Sequence, residues 1–546
     1  MYQIGIQPLK NKGAGGGLMV NCSWDFLYPS QRMPVFAKNV VATSQPLAAQ
    51  AGLRMMLKGG NAVDAALASA IALTVVEPVS NGIGSDAFAI VWDGQRLYGL
   101  NASGRAPQAW TPERFAGLKT MPQLGWDAVT VPGAVDAWVT LSDRFGKLPF
   151  TDLFEPAIHY ARTGFLVSPK TAAKWSQTPT LYKDYPDFAA AFLPGGKAPV
   201  TGELFRFPGQ GDTLEEIART KGESFYRGEL ARRIIAYAGA TGGAMTETDL
   251  AQHRSDWVEP IAREYRGVCL NEIPPNGQGL AALIALGIIS HHNILQYPVD
   301  SADSLHLQLE AMKIALAEAY RHIADPACMQ ADPHAFLDDA FLAKRASEID
   351  MRHAKHFSSA LPVDKGTVYL TAADEAGMMI SFIQSNFNGF GSGIVVPGTG
   401  ISMQNRASGF SLEPGHPNQV DGGKRPFHTI IPGFVMRDNK PLMSFGVMGG
   451  PMQAQGHVQM MIRIFGYGQN PQAASDAPRW RVMENGQIAF ERGVSAAVLE
   501  ALEHRGHKTL PNSHETHFGG AQLICRLDDG YCAASDHRKD GEAVGF

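Results

Sequence analysis

The chain has 546 residues, of which 45% are hydrophobic and 18% are charged, and its formal net charge is −5. This composition is typical of a globular enzyme, and the lack of a basic stripe argues against a nucleic-acid-binding protein. The five cysteines are odd in number and form no Cys-x-x-Cys pair, which argues against a disulfide framework or a cysteine zinc site. No apolar run is long enough to span a bilayer and no signal peptide is apparent, so we expect a cytoplasmic protein without membrane contact.

The first part of the chain is predicted to be mainly helical. Residues 1–37 are expected to form a flexible extension. Two helices are predicted over 46–76, separated by a glycine pair, with Asn61 as the N-cap of the second. Residues 86–103 alternate around an Asp-Gly turn and indicate a hairpin. A mainly helical pattern, interrupted by Pro and Gly, covers 131–350.

The pattern changes to strands at residue 367. Residues 367–387 predict two strands, and further strands are expected at 430–436 and 442–447. A helix is predicted near 453–466, and the last hairpin covers 522–535. Helices flank the strands without repeated βαβ units, which favours an α+β layered protein.

A threonine opens the first strand of this second half. The turn Asp364-Lys365-Gly366 leads directly into Thr367. Thr is common in strands because it is β-branched, so a packing role is the first interpretation. A Thr with a free α-amino group can instead use that amine, with a pKa of about 7.7–8.0, as the base for its own hydroxyl. For Thr367 this requires self-cleavage after Gly366, whose small size permits an N-to-O acyl shift.

Two later stretches could support such a nucleophile. The pair Gly449-Gly450 in "GVMGGPMQ" offers backbone N–H groups for an oxyanion. The segment "GGKRPFHTIIPGFV" places His428 and Thr429 between a basic turn and an apolar strand, where they could line a pocket.

Several segments in the same order resemble the γ-glutamyltransferases, a family of N-terminal-nucleophile (Ntn) hydrolases. They are "KGGNAVDAALASAIALTVVEPVSNGIGSDAF", "TVPGAVDAW", "GKRPFHTIIPGF", "GVMGGPMQ" and "AASDHRKDGEAVGF". The resemblance implies a four-layer αββα sandwich of the α+β class. It also implies a precursor that cuts itself into a large chain, with its body at 38–366, and a small chain, 367–546.

The resemblance also implies roles for individual residues. Thr367 takes the place of the nucleophile, Ser385 that of its supporting hydroxyl, and Gly449 and Gly450 those of the oxyanion glycines. The two chains would form a heterodimer, with a dimer of heterodimers left open. No metal or organic cofactor is expected, and the partners are a small amide and water.

The chain departs from the family where γ-glutamyl substrates are bound. The arginine that holds the α-carboxylate is replaced by Ser103, two residues before Arg105, and the acidic residue that binds the α-amino group is replaced by Gly409. Other positions of the pocket wall change as well, to Arg406, Phe387, His428 and Thr429.

These changes predict a different substrate. Without an acidic partner an α-ammonium would stay unpaired, whereas Arg406, helped by Arg105 and His428, could bind a carboxylate. The predicted substrate is a small carboxylate-bearing amide, first of all oxamate, as in the oxamate amidohydrolases of purine breakdown. The alternative for Arg406 is a structural ion pair. The alternatives for the protein are a γ-glutamyl hydrolase or transferase acting on glutathione, a glutaryl-cephalosporin acylase-like enzyme and a non-catalytic binding protein.

Overall fold

Two seven-stranded antiparallel sheets form the centre of the molecule. The computed structural model describes residues 23, 27–29, 32–356 and 366–546. In spatial order, the first sheet consists of Val35–Ala37, Gly530–Ser535, Gly520–Leu527, Lys440–Met448, Gly433–Arg437, Val268–Glu272 and Ile261–Tyr265. The second sheet consists of Glu542–Gly545, Val40–Thr43, Val368–Ala373, Met379–Ser385, Asp86–Trp92, Leu97–Ala102 and Asp256–Val258.

The two sheets pack face to face. Phe88 and Tyr369 from the second sheet share an apolar cluster with Phe434 and Ile524 from the first. The hydroxyl groups of Thr371 and Ser444 also meet across the layer, 2.6 Å apart. Alternation along each strand therefore directs one face of each sheet into a common core, as in sheet-on-sheet packing.

Helices cover the outer faces of both sheets. The helices Pro46–Leu57 and Ala62–Val76 pack on the second sheet, and every residue of Ala62–Val76 is buried. On the first sheet lie Gly279–Ser290 and Met452–Met461, with Ala302–His322 packed against Gly279–Ser290. The order helix, sheet, sheet, helix confirms the predicted αββα sandwich.

Smaller elements complete the described chain. The other α-helices are Ala134–Phe145, Glu155–Thr163, Pro169–Trp175, Thr178–Leu181, Pro186–Phe192, Pro208–Thr220, Glu223–Arg227, Glu229–Ala240, Glu247–Ala251, Asp339–Ala346, Pro471–Asp476 and Ala496–His504. Two small sheets are formed by Trp480–Val482, Gln487–Phe490 and Lys508–Leu510, and by Phe165–Leu166 with Leu204–Phe205.

The structure differs from the sequence-based expectation in three places. The end of the predicted extension, Val35–Ala37, is an edge strand paired with Gly530–Ser535, so the ordered body begins before residue 38. The region predicted as mainly helical contains three strands between residues 256 and 272. The predicted helix 453–466 is α-helical over Met452–Met461 and continues as a π-helical turn over Ile462–Gly466.

Of the predicted turn before Thr367, Asp364 and Lys365 lie outside the described residues. Within the described ranges, the helices lack the combination of length and apolar character needed to cross a bilayer.

Candidate active site

Thr367 lies at the entrance to the central strand pair of the second sheet. It directly precedes Val368–Ala373, whose neighbours are Val40–Thr43 and Met379–Ser385. Its side chain is almost completely buried, with 1% of the residue exposed. The hydroxyl Oγ1 lies 2.6 Å from the carbonyl oxygen of Gly366, so it is already beside the peptide bond that self-cleavage would break.

Ser385 faces Thr367 from the neighbouring strand. Val368 pairs with Gln384 in the antiparallel register, which brings the end of that strand, Ser385, next to Thr367. The two hydroxyl oxygens are 3.0 Å apart. Ser385 Oγ accepts a hydrogen bond from Phe387 N at 2.8 Å and donates one to the Gly366 carbonyl at 2.6 Å. Ser385 therefore contacts both the Gly366 carbonyl oxygen and the hydroxyl of the candidate nucleophile.

The loop after Ser385 packs tightly against Gly366. A Cβ atom on Gly366 would lie 2.4 Å from Gly389 N and 2.8 Å from the Phe387 carbonyl oxygen, so a side chain does not fit here. Phe387 has a φ of +72°, a left-handed conformation that bulky residues rarely adopt. Such strain persists where the surrounding structure fixes it, often at functional sites.

The glycine pair joins the strand Lys440–Met448 to the helix Met452–Met461. Gly449 and Gly450 have φ values of +136° and +57°. A Cβ on Gly449 would approach Gly519 Cα to 2.9 Å, so both the conformation and the space require glycine. This position just before a helix N-terminus favours negative charge.

A cavity of about 350 Å³ opens beside Gly366 and Gly449. Asn388 and Gly389 line it from the loop after Ser385, and Thr516 lines it from the segment after the small sheet. Two cations, Lys174 and Lys539, also line this cavity, and the sequence analysis did not identify either. Lys539 stands in the C-terminal motif "AASDHRKDGEAVGF". Lys174 is a single lysine in a helix, and no sequence pattern marks it as a site residue.

Arg406 lies in a closed wall of the site and not among the residues that line the cavity. It has no exposed surface. Its guanidinium carbon lies 4.1 Å from the centre of the Phe387 ring, a cation–π contact, and Nη1 donates to Thr429 Oγ1 at 2.8 Å. Arg406, Thr429 and Phe387, which the sequence assigned to one pocket wall, are therefore in contact, but the guanidinium packs within the protein.

His428 and Asp86 form a second part of the same buried wall. His428 Nε2 lies 3.1 Å from Asp86 Oδ2, and neither residue is exposed. Burial raises the pKa of Asp86 to about 7 although Arg406 lowers it, and burial together with the charges of Arg406 and Arg425 lowers the pKa of His428. His428 is thus held as an uncharged imidazole. Asp86 Oδ1 accepts a hydrogen bond from Gly104 N at 3.2 Å, so this carboxyl group supports a backbone turn.

The comparisons with known proteins agree on the family. Residues 48–546 match the model of the family described as gamma-glutamyltranspeptidase. The chain belongs to this family. Its relatives are precursors by name, and the chain is an amide-bond hydrolase of the Ntn class.

Three relatives cover almost the whole chain. A glutathione hydrolase-like YwrD proenzyme from Bacillus subtilis is 34% identical over 93% of this chain and 98% of its own. An oxamate amidohydrolase proenzyme from Klebsiella pneumoniae is 33% identical over 92% of this chain and 97% of its own. The crystal structure of a cephalosporin acylase from Bacillus halodurans is 46% identical, with a TM-score of 0.90 over 96% of this chain and 99% of that one.

Ser103 and Arg105 do not join the substrate cavity. Ser103 is buried, and its hydroxyl donates to Asn101 Oδ1 at 2.6 Å. Arg105, with 48% of its side chain exposed, pairs with Asp325 at 2.9 Å and lines a different pocket. The guanidinium of Arg105 is thus engaged by Asp325 outside the cavity beside Gly366, and its expected help in binding a substrate carboxylate stays a prediction.

One cluster in the described part of the chain has metal-binding residue types. The nitrogen and oxygen atoms of His306, Glu310 and His507 lie within 4.8 Å of one another. Lys313 Nζ lies 2.7 Å from Glu310 Oε1 and 3.3 Å from His507 Nδ1. Burial and the charge of Lys313 lower the pKa of His507 to about 2. An ammonium group thus supplies the positive charge among these side chains.

Proposed function

We propose that the protein is a precursor that cleaves itself between Gly366 and Thr367 and then acts as a threonine amidohydrolase. The products would be a large chain ending at Gly366, with its body at 38–366, and a small chain, 367–546. The observation that carries this proposal is the position of two hydroxyl groups, Thr367 Oγ1 and Ser385 Oγ, each 2.6 Å from the Gly366 carbonyl oxygen.

Self-cleavage follows from this geometry. Thr367 Oγ attacks the carbonyl carbon of Gly366, and the hydroxyl of Ser385 stabilises the negative charge on the carbonyl oxygen. The C–N bond then breaks and the hydroxyl proton ends on the Thr367 nitrogen, which leaves an ester between Gly366 and Thr367 Oγ. Water hydrolyses this ester to the Gly366 carboxylate, and Thr367 keeps a free hydroxyl and a free amine.

The mature enzyme would use the same oxygen on an external amide. The α-amine of Thr367 takes the hydroxyl proton while Oγ attacks the amide carbon. The N–H groups of Gly449 and Gly450 stabilise the oxyanion, and the ammonium returns the proton to the leaving ammonia or amine. Water, deprotonated by the same amine, then hydrolyses the acyl ester and releases the carboxylate product.

The substrate class is an amide that carries a carboxylate and lacks an α-ammonium group. The position of the acidic residue that binds an α-amino group is Gly409, where a Cβ would lie 2.6 Å from the Phe427 carbonyl oxygen. An aspartate or glutamate therefore does not fit at this position, and an α-ammonium would lack a counter-charge. Oxamate is the smallest amide of this class, and the similarity to an oxamate amidohydrolase supports it.

A second candidate is an acylase that removes a longer carboxylate-bearing acyl group, such as glutaryl. The volume of the cavity, about 350 Å³, favours this candidate because it falls in the range of about 300–1,000 Å³ typical of pockets for larger ligands. The structural similarity to a cephalosporin acylase agrees with it.

A substrate panel tests both candidates against the γ-glutamyl alternative. Oxamate is assayed by ammonia release, and glutaryl p-nitroanilide is compared with γ-glutamyl p-nitroanilide, which differs only by an α-amino group. We expect kcat/KM for oxamate or the glutaryl anilide to exceed that for the γ-glutamyl anilide by at least about tenfold. Thr367→Ala should hydrolyse none of them. Preference for the γ-glutamyl anilide would contradict the proposed substrate class, and a cut wild-type protein that hydrolyses no amide would favour the binding-protein alternative.

A further inference from the structure

Two ammonium groups meet at the cavity beside the scissile bond. Lys174 comes from the helix Pro169–Trp175 of the large chain, whereas Lys539 lies near the C-terminus of the small chain. Both line the same cavity as Gly366 and Gly449. Only 8% of Lys539 is exposed, and its stem packs against Gly520, where an added Cβ would lie 2.6 Å from Lys539 Cε. The two lysines thus place positive charge in an enclosed space, where burying an ammonium is costly without an anionic partner.

The nearby carboxylates balance this charge only in part. Asp536 is held by Arg479 at 2.6 Å and by Arg538 at 3.1 Å. Asp540 accepts hydrogen bonds from the backbone N–H groups of Lys170 and Thr171 at the start of the helix.

Glu77 remains as the carboxylate that attracts both lysines, and it also accepts a hydrogen bond from Ser44. Lys174 Nζ donates to Ser80 Oγ at 3.1 Å. Asp536 also attracts Lys539, but two arginines already bind Asp536, so Glu77 is the one of these three carboxylates that attracts both ammonium groups.

The position of Gly366 indicates which part of the substrate enters this cavity. In self-cleavage, the acyl group of Gly366 is transferred to Thr367 Oγ, and in the proposed catalytic cycle the acyl group of the substrate is bonded to the same oxygen. The two acyl groups therefore occupy overlapping space. Because Gly366 lines the same cavity as Lys174 and Lys539, an acyl group bonded to the oxygen of Thr367 would extend into the space that these lysines line.

We propose that Lys174 and Lys539 bind the terminal carboxylate of the substrate's acyl group. This inference rests on the proposed function and narrows it to monoamides of dicarboxylic acids, with a carbon spacer between the amide and the carboxylate. Oxamate has no such spacer. Charge-assisted hydrogen bonds from two ammonium groups stabilise a carboxylate more than neutral donors do.

The binding of this anion would depend on pH. Burial and the charge of Lys174 lower the pKa of Lys539 to about 7, although Glu77 and Asp536 act in the opposite direction. Lys539 is protonated below this pH and loses its charge as the pH rises through it. We therefore expect the affinity for a dicarboxylate to fall between pH 6 and pH 8.

Calorimetric titration of the cut protein with glutarate, the product of glutaryl hydrolysis, tests the proposal directly. Lys539→Met and Lys174→Met keep the apolar stem and remove the charge, and each should raise the Kd for glutarate about tenfold or more. Lys539→Arg should keep most of the affinity. Lys170→Met is the matched control, since Lys170 lies on the same helix as Lys174 but pairs with Glu515 and is not part of the cavity lining.

The same variants separate binding from catalysis. We expect KM for glutaryl p-nitroanilide to rise more in Lys174→Met and Lys539→Met than KM for its uncharged carboxamide analogue, whereas Lys170→Met should change neither KM. Glutarate binding that is absent in the wild type, or equal in wild type and both methionine variants, would overturn the anion site even if amides are hydrolysed. Lysine-dependent glutarate binding by a protein without amidase activity would support the anion site and contradict the proposed function.

Discussion

The site contains two groups of cations, and they differ in what surrounds them. Arg406 is closed into the protein by Phe387 and Thr429 and lies near Asp86. Lys174 and Lys539 line the cavity next to Gly366. The position that the resemblance assigns to substrate binding, Arg406, is thus buried, whereas cations from two distant segments line the cavity. If the proposed anion site is correct, recognition depends on which side chains reach the cavity and not on which positions align.

Phe387 connects these two regions. Its ring stacks on Arg406, and its carbonyl oxygen lies where a side chain on Gly366 would have to be. We expect the closed cluster to hold this loop against Gly366, which would give Arg406 a positioning role in the proposed cleavage.

The largest effect is expected where the cavity meets the scissile bond. Gly366→Ala would bring a Cβ within 2.4 Å of Gly389 N, so the loop or the scissile bond must shift. We expect self-cleavage to fall at least about a hundredfold, because misplacing the reacting atoms by about 1 Å can cost that much. A denaturing gel over time measures the rate.

Gly239→Ala is the control for this substitution. Gly239 lies within the helix Glu229–Ala240 and has open space around its Cβ position, so cleavage should not change. Normal cleavage of Gly366→Ala would show that the contact with Phe387 and Gly389 does not fix the scissile bond.

The hydroxyl of Ser385 gives the next largest effect. Ser385→Ala removes the donor to the Gly366 carbonyl, and loss of one oxyanion donor costs about 10²–10³ in rate. Self-cleavage should slow by about this factor, whereas Ser385→Thr should retain most of it. Ser381→Ala, on the same strand but bonded to Tyr369, should cleave like the wild type.

Arg406→Met tests the closed cluster. It removes the stacking on Phe387 and the bond to Thr429 and takes from Asp86 the larger of the two cationic influences on its pKa, leaving that of Arg425. We expect the free energy of unfolding, measured with urea, to fall by about 1–3 kcal/mol. KM for carboxylate-bearing amides should change less than about twofold, in contrast to Lys539→Met. A large rise in KM with an unchanged free energy of unfolding would instead indicate that Arg406 binds the substrate.

The smallest effect is the dependence of stability on pH at Lys539. The pKa of this group is about 7 in the folded protein, below its usual value, so the unfolded chain binds its proton more tightly. The free-energy cost of burying the ammonium charge of Lys539 in the folded protein is fully present below pH 7. It disappears as the pH rises towards 10. Lys539→Met lacks this cost, so its thermal stability relative to the wild type should be highest at low pH and decrease with rising pH. A difference in thermal stability that does not change with pH would show that folding does not lower the pKa of Lys539.

The fold could largely be predicted from sequence, and the sequence also indicated a candidate nucleophile. Alternating strands, the Asn61 cap and ordered family motifs identified the sandwich, and the position of Thr367 after Gly366 indicated where to look for the nucleophile. The three strands between residues 256 and 272 were missed because short, partly exposed strands carry little periodicity.

The contacts of the arginine and lysine side chains around the site could not be predicted in the same way. Arg105 and Arg406 stand close to family positions, but the direction of a long side chain depends on tertiary partners such as Asp325 and Phe387. The meeting of Lys174 and Lys539, 365 positions apart in the chain, likewise results from packing of the C-terminal segment on the helix Pro169–Trp175.

Intact mass under denaturing conditions, measured for the purified wild-type protein and for Thr367→Ala, shows whether Thr367 becomes an N-terminal residue. We expect two wild-type chains whose masses correspond to a break between Gly366 and Thr367, and a single uncut chain for the variant. A break elsewhere, or an uncut wild-type chain, would contradict Thr367 as an N-terminal nucleophile.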